Sequence, residues 1–284
     1  MKKLLYTLLF LPVVASSQNF HFSGRFGLAG YQGDLKEHSV TLSQSKLFGS
    51  VGARYDLSER FTARSYFSYT TLQADDKKGT ATMQQRNLNF KTRILDLELT
   101  AQYNIFSLNY RWWTPYVFAG VGAFRFNPYT NDAADNRVFL QPLSTEGQGF
   151  EPGRSKYSRV QISIPLGFGA DYALNEDVRV GLEFGYRKLF TDYLDDVSTT
   201  YVDPTNLLAA RGATAVDLAW RGDEYNGAPY PESGTIRGNS KNKDAFYYVA
   251  LTFTFRHYFD KYKMTSGIPG GKRDKRVGCP ASRG

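Results

Sequence analysis

Apolar and polar positions alternate with a period of two along most of this chain, the period of a strand with two unlike faces. The clearest run is Phe246–Phe259. Tyr247, Val249, Leu251, Phe253 and Phe255 fall on one face, and Tyr248, Ala250, Thr252, Thr254 and Arg256 on the other. In Tyr157–Leu174 the residues Val160, Ile162, Ile164, Leu166, Phe168, Ala170, Tyr172 and Leu174 oppose Arg159, Gln161, Ser163 and Asp171. In Val178–Tyr186, Val180, Leu182 and Phe184 oppose Arg179, Glu183 and, one step on, Arg187. Near the start, Phe20, Phe22, Phe26 and Leu28 oppose His21, Ser23 and Arg25. Segments 46–56, 61–73, 87–103 and 113–126 complete a set of eight. In 87–103 the apolar parity flips between Ile94 and Leu95, which predicts a bulge. Both faces of 113–126 are apolar, so the pattern does not orient it.

Connection lengths separate these strands into a barrel with two unlike ends. Leu57–Arg60, Asn104–Trp112 and Asn175–Asp177 are short, whereas Asp34–Ser45, Ala74–Arg86, Asn127–Lys156 and Tyr193–Ala245 are long. Short turns at one end and long loops at the other are the pattern of an outer-membrane barrel with both termini in the periplasm. The apolar face suits lipid and the polar face a lumen. Hydrocarbon leaves no unpaired backbone group a partner, so such a sheet must close. The fold expected is all-β: an eight-stranded antiparallel transmembrane barrel with long outer loops. Tyr55, Tyr103, Trp112, Trp113 and Tyr172 fall near the short-turn ends, where an aromatic girdle belongs.

Ahead of the first strand, Met1-Lys2-Lys3 and the apolar run Leu4–Val14 end in Ala15-Ser16-Ser17. This predicts a signal peptide over 1–17, cleaved before Gln18. The expected barrel then spans 18–260 and a basic tail 261–284. The chain has 284 residues, a mean hydropathy of −0.43 and a net charge of +8. Lys2 and Lys3 supply +2 of that charge and the tail +6, so the barrel segment is neutral. A nucleic-acid-binding domain would carry its excess on the folded body. Nucleic acid is therefore not an expected partner.

Candidate lumen residues are Arg159, Asp171, Arg179, Glu183, Arg187 and Arg256, with Arg25 and Arg54 on the same faces. Their mixed sign predicts an ion-paired plug rather than a pore, since eight strands enclose a space that side chains just fill. Arg179, Glu183 and Arg187 are spaced to stack along the interior. Little points to catalysis. His21, His38 and His257 are scattered, with Ser39, Ser43 and Ser45 near His38 the only nucleophile pattern. Asp195-Asp196, beside Asp192 and Asp203, reads as a solvated acidic loop end rather than a Ca²⁺ site. No metal, cofactor or enzymatic activity is expected. In the tail, Lys272, Arg273, Lys275 and Arg276 form a cationic cluster suited to an acidic partner. Cys279 has no second cysteine with which to pair.

Three segments go beyond generic barrel features: Phe26–Leu35 with its Gly30-Tyr31-Gln-Gly33-Asp34-Leu turn, Thr114–Pro128, and Arg187–Asp203 with Thr191, Asp192, Tyr193, Asp195 and Asp196. Together they resemble the PorG-like outer-membrane barrels of Bacteroidetes over residues 19–260. The resemblance implies a non-enzymatic component of the type IX secretion system, seated in outer-membrane lipid. It would anchor periplasmic ring proteins through its periplasmic face. The alternative is a small OmpA/OmpX-like or OmpW-like barrel for surface binding or small-molecule transport.

Overall fold

The computed structural model describes residues 20–36, 43–175 and 177–256. The predicted leader, His38, His257, the tail cations Lys272, Arg273, Lys275 and Arg276, and Cys279 lie outside the described residues.

Eight long strands form the body: β1 (Phe20–Gln32), β2 (Lys46–Asp56), β3 (Phe61–Asp75), β4 (Asn89–Asn104) and β5 (Trp113–Arg125), then, after a small hairpin of β6 (Pro128–Asn131) and β7 (Arg137–Phe139), β8 (Val160–Ala173), β9 (Val178–Leu189) and β10 (Ala245–Arg256). Each long strand pairs antiparallel with its neighbour in sequence. β10 returns to β1, so the sheet closes and leaves no free edge among these eight strands. Closure follows from the alternation described above. The outward residues Phe26, Val51, Phe67, Leu97, Val121, Phe168, Leu182 and Leu251 are each 48–67% exposed, one from every strand. Register links them into a band: Phe26 faces Leu251, Leu251 faces Leu182, and Val51, Phe67 and Leu97 follow in one row. A band of that kind is stable only against hydrocarbon.

Strand β4 corrects one expectation. Its pairing with β3 runs unbroken from Asp75 opposite Asn89 to Phe61 opposite Tyr103, so there is no bulge. Inward residues keep strict alternation: Phe90, Thr92, Ile94, Asp96, Glu98, Thr100, Gln102 and Asn104 are all buried. The parity flip at Ile94/Leu95 is a change of surroundings. Below it, the outside is lipid (Leu95, Leu97, Leu99) and the inside is a polar lumen. Above it, the outside carries Lys91 and Arg93, while Phe90 and Ile94 point into a dry core. Strand β5, which the pattern left unoriented, points Tyr116, Phe118 and Phe124 inward and exposes Val117 and Val121.

Strands of 11 to 16 residues exceed the roughly 9–11 needed to span hydrocarbon. The surplus rises at the long-loop end and supports a folded cap. The described parts of the loops there are structured. They contain helices Ala81–Arg86, Leu140–Leu143, Pro204–Arg211, Ala213–Ala219 and Gly222–Asn226. The start of Pro204–Arg211 is local chemistry: Asp203 accepts from Thr205 N at 2.7 Å and Pro204 opens the first turn. Tyr31, Phe90, Phe126, Leu140, Tyr157, Leu194, Leu218 and Phe246 bury one another beneath these loops. At the opposite end Phe61 packs on Tyr103 at 5.1 Å, and Trp113 faces Tyr172 across the β5–β8 register, giving the aromatic girdle.

Candidate functional site: a filled lumen under a knotted outer cap

Four arginines and four acids fill the barrel interior: Arg25, Arg54, Arg64 and Arg187 against Asp96, Glu98, Asp171 and Glu183. Their formal charges cancel, which is what allows eight ions into a space shielded from water. Glu183 is the hub. It accepts from Arg25 Nη1 at 3.0 Å, Arg64 Nη2 at 2.8 Å, Tyr116 OH at 2.8 Å and Tyr248 OH at 2.5 Å. Arg25 also reaches Glu98 at 3.0 Å, and its guanidinium lies 3.7 Å from the centre of the Tyr66 ring. Arg187 pairs with Glu98 and, at 3.4 Å, with Asp96. Arg54 donates to Asp171 at 2.6 Å. The side chains of Arg25, Arg64, Glu98, Glu183 and Arg187 are all 0% exposed, so the centre of the lumen is closed from both ends.

Of the lumen residues expected from sequence, Asp171, Glu183 and Arg187 join this network. Arg159 does not. It precedes β8 and is exposed at the long-loop end, because the strand starts at Val160 rather than Tyr157. Arg179 and Arg256 sit at the short-turn rim, half-buried, on Asp56 at 3.2 Å and Asp177 at 3.7 Å. His21 joins the same rim through Asp56 at 3.0 Å. Arg179, Glu183 and Arg187 share a face but bond to other strands, not to each other. Arg64, Asp96 and Glu98 were missed. Asp96 and Glu98 lie just past the parity flip, where an expected bulge leaves the faces of the strand unassigned.

The second constellation is the cap. The motif residues Tyr31 and Asp195 meet Asp244 under the outer loops. Tyr31 OH lies 2.5 Å from Asp195 Oδ2 and 3.0 Å from Asp244 Oδ1. A phenol has one hydrogen, so both contacts require a proton on one of the two carboxyls. Burial away from water holds both well above the usual carboxylate range; the charge of Asp34 lifts Asp195 further and that of Asp195 lifts Asp244. Gly33 makes room: a Cβ there would lie 2.0 Å from Tyr31 OH and 2.1 Å from Asp244 Oδ1. At Gly30 a Cβ would fall 2.5 Å from Tyr247 OH.

Around this core the loops are stitched to one another. Asp34 Oδ2 accepts from Asn239 N at 2.8 Å, and Asp192 Oδ2 from Ser198 Oγ at 2.7 Å. Thr191 Oγ1 accepts from Tyr193 N, whose ring stacks on Tyr157 at 4.7 Å. Asp196 accepts from Tyr157 OH and Thr145 Oγ1, both at 2.6 Å; burial pushes its carboxyl up to about 6. Arg237 donates to Glu146 at 3.0 Å and to the Asp196 carbonyl at 2.6 Å. Arg86 grips Asp76 and donates to the carbonyls of Arg237 and Asp34. The acidic run is therefore no solvated loop end: Asp192, Asp195 and Asp196 are at most 3% exposed. Neither is it arranged as a metal site; among the described residues no group of three or more His, Cys, Asp or Glu is placed to hold an ion. Glu146, Arg86, Arg237 and Asp244 were not legible, because polar residues in long loops carry no periodicity.

Comparison with known protein families agrees with the barrel. The profile of the outer membrane protein beta-barrel domain matches residues 4–209. The chain belongs to that family. It is an outer-membrane protein, a closed eight-stranded antiparallel barrel. No curated protein matches it. Similar solved structures are those of Neisserial surface protein A (10% identity, TM-score 0.42, covering 84% of this chain and 97% of that one) and of OprG from Pseudomonas aeruginosa (14%, 0.42, 84% and 96%). The outer membrane enzyme PagL is also similar (12%, 0.34, 84% and 99%). At these identities the likeness concerns the fold.

Proposed function

We propose that this outer-membrane barrel is a non-enzymatic, non-conducting surface protein whose outer cap presents a fixed binding face. One observation carries the reading. The loops are fastened by buried polar bonds, Tyr31–Asp195–Asp244 and Arg237–Glu146 among them, above a lumen that ions and aromatic rings fill. A transport pore would invest in a wide lumen and a simple rim. This chain has 55 residues between β9 and β10 and folds them into a lid. Leu208 and Ile236 are 51% and 77% exposed on it. Such a cap suits recognition of something outside the cell, as in small OmpA/OmpX-like or OmpW-like barrels.

The second reading is an anchor for the periplasmic ring of a type IX secretion system. It is supported by the resemblance through Tyr31–Leu35 and Arg187–Asp203, and by the cationic tail. The two readings place function at opposite ends, and one experiment separates them. The full-length protein, a variant with 204–230 replaced by a short Gly/Ser linker, and a variant truncated after Tyr262 are cross-linked in intact cells and purified in mild detergent. Partners lost only with the loop deletion support the surface reading. Partners lost only on tail truncation, together with failed secretion, support the anchor and refute the surface reading.

A further inference from the structure

We propose that a cationic cleft on the outer wall, where β4 and β5 leave the membrane, binds the phosphate of a lipid in the outer leaflet. The β6–β7 hairpin folds down beside these strands and encloses a cleft of about 390 Å³ with Arg93, Arg125 and Arg137 in its lining. Position along the strands sets its depth. Leu95 pairs with Tyr69 on one side and Arg125 on the other, so these three form one outward row. Arg93 stands two residues above Leu95 on the same face, roughly 7 Å higher at the usual strand rise. Below the row, Leu97 and Leu99 are 57% and 60% exposed on the lipid band. The cleft therefore straddles the boundary, with guanidiniums at headgroup height and an apolar floor that continues into the hydrocarbon.

Charge and packing identify the occupant. No carboxylate lines the cleft, and among the described residues Arg93, Arg125 and Arg137 make no ion pair. Arg93 and Arg125 are diagonal neighbours across the sheet, roughly 7–8 Å apart at most, where like charges repel. Arg137 is already held, its guanidinium 4.5 Å from the centre of the Tyr129 ring, and Tyr129 packs edge-on against Phe139 at 6.1 Å. The hairpin's acids do not neutralise the group; Asp132 and Asp135 line a separate depression with Arg221. Three arginines lining one cleft supply enough guanidinium donors for the three oxygens of a phosphate monoester. Exposed Tyr69, Leu95 and Phe139 match the first methylenes of an acyl chain. A free anion would not need that apolar floor.

The full-length protein is purified in detergent and given a phosphorylated lipid A, the same lipid with its phosphates removed, or inorganic phosphate; retained lipid is counted by native mass spectrometry. Wild type is expected to hold the phosphorylated lipid roughly tenfold or more better than the Arg93→Gln/Arg125→Gln/Arg137→Gln variant. A Lys46→Gln/Lys188→Gln variant, altering rim cations elsewhere, should match wild type. The dephosphorylated lipid should show no difference, and millimolar phosphate should not displace the lipid. Heat-modified gel mobility confirms that each variant is a folded barrel; if the triple variant is not, the single Arg93→Gln protein is used, with a loss of about fivefold expected. Equal retention by wild type and folded variant, equal loss in the lysine control, or displacement by inorganic phosphate would each overturn the proposal.

Discussion

Glu183 is where the barrel interior is most easily broken. Its two oxygens take four donors, two of them guanidinium groups, and its side chain is fully buried. Glu183→Gln keeps the volume and removes one negative charge. The lumen then holds four arginines against three acids. The new amide also turns two N–H donors toward a site that supplied only donors, so at least one existing partner loses its acceptor. Removing one member of a buried ion pair costs about 3–5 kcal/mol, because the partner's charge stays buried and uncompensated. We expect a loss near the middle of that range, about 4 kcal/mol, in urea unfolding from lipid vesicles followed by tryptophan fluorescence. A double-mutant cycle with Arg64→Met should recover part of it, since Arg64 is then no longer the uncompensated charge. The reasoning fails if Glu183→Gln unfolds within 1 kcal/mol of wild type while its barrel mobility on gels is unchanged. That result would mean water enters the lumen freely and screens the arginines, and the filled-lumen reading would fall with it.

Other expectations follow from the same geometry. Leu251→Arg places a charge on the lipid band and should cost about 2–4 kcal/mol near the midplane, read by the same unfolding assay. Thr252→Arg should be no better tolerated, although its face is polar: Thr252 is 1% exposed, stands opposite Arg25 and lies 3.3 Å from Asp171, so there is neither room nor spare negative charge. Purified protein in planar bilayers should show no steady large conductance. The cap should loosen as pH rises. The Asp196 carboxyl is held at about 6 against 3.8 when unfolded, so its destabilising effect grows from about pH 4 and levels off above about pH 6. Asp195 and Asp244, shifted in the same direction, extend the decline to higher pH. Limited proteolysis of the outer loops should therefore quicken between pH 5 and pH 8. Asp244→Asn, which removes the need for a shared proton, should flatten that dependence.

The barrel was legible because one rule, outward apolar and inward polar, acts along the membrane-spanning part of most strands; β5, whose inward Tyr116 and Phe118 are aromatic, is where it gave no orientation. The rule fails where its cause stops. At Ile94/Leu95 the alternation inverts, a pattern that predicts a bulge; the register shows a straight strand crossing from a lipid-and-lumen environment into a water-and-core one. The same boundary explains Arg159, which keeps the lumen parity of β8 but stands above the lumen in solvent. It also explains the cap. Tyr31, two positions beyond Ala29 on the inward face of β1, should be polar-lumen by parity, yet it sits in the dry core with its hydroxyl on Asp195 and Asp244. Parity alone cannot announce that change, because it names a face and not what the face meets. Height along the strand supplies the missing coordinate. Lys91 and Arg93 outside, with Phe90 and Ile94 inside, mark the level at which lipid ends on β4, and Lys46 and Lys188 are outward cations at the long-loop ends of β2 and β9. Read with both coordinates, face and height, the chain separates into a lumen whose charges cancel, a cap whose carboxyls retain a proton, and a rim whose arginines at β4, β5 and β7 are left without acids. The lumen ions pair with one another, and the cap fastens itself from within while keeping an exposed outer surface at Leu208 and Ile236. Among the described residues the rim arginines at β4, β5 and β7 are cations without an ion-pair partner, which is the chemistry an anionic headgroup would use.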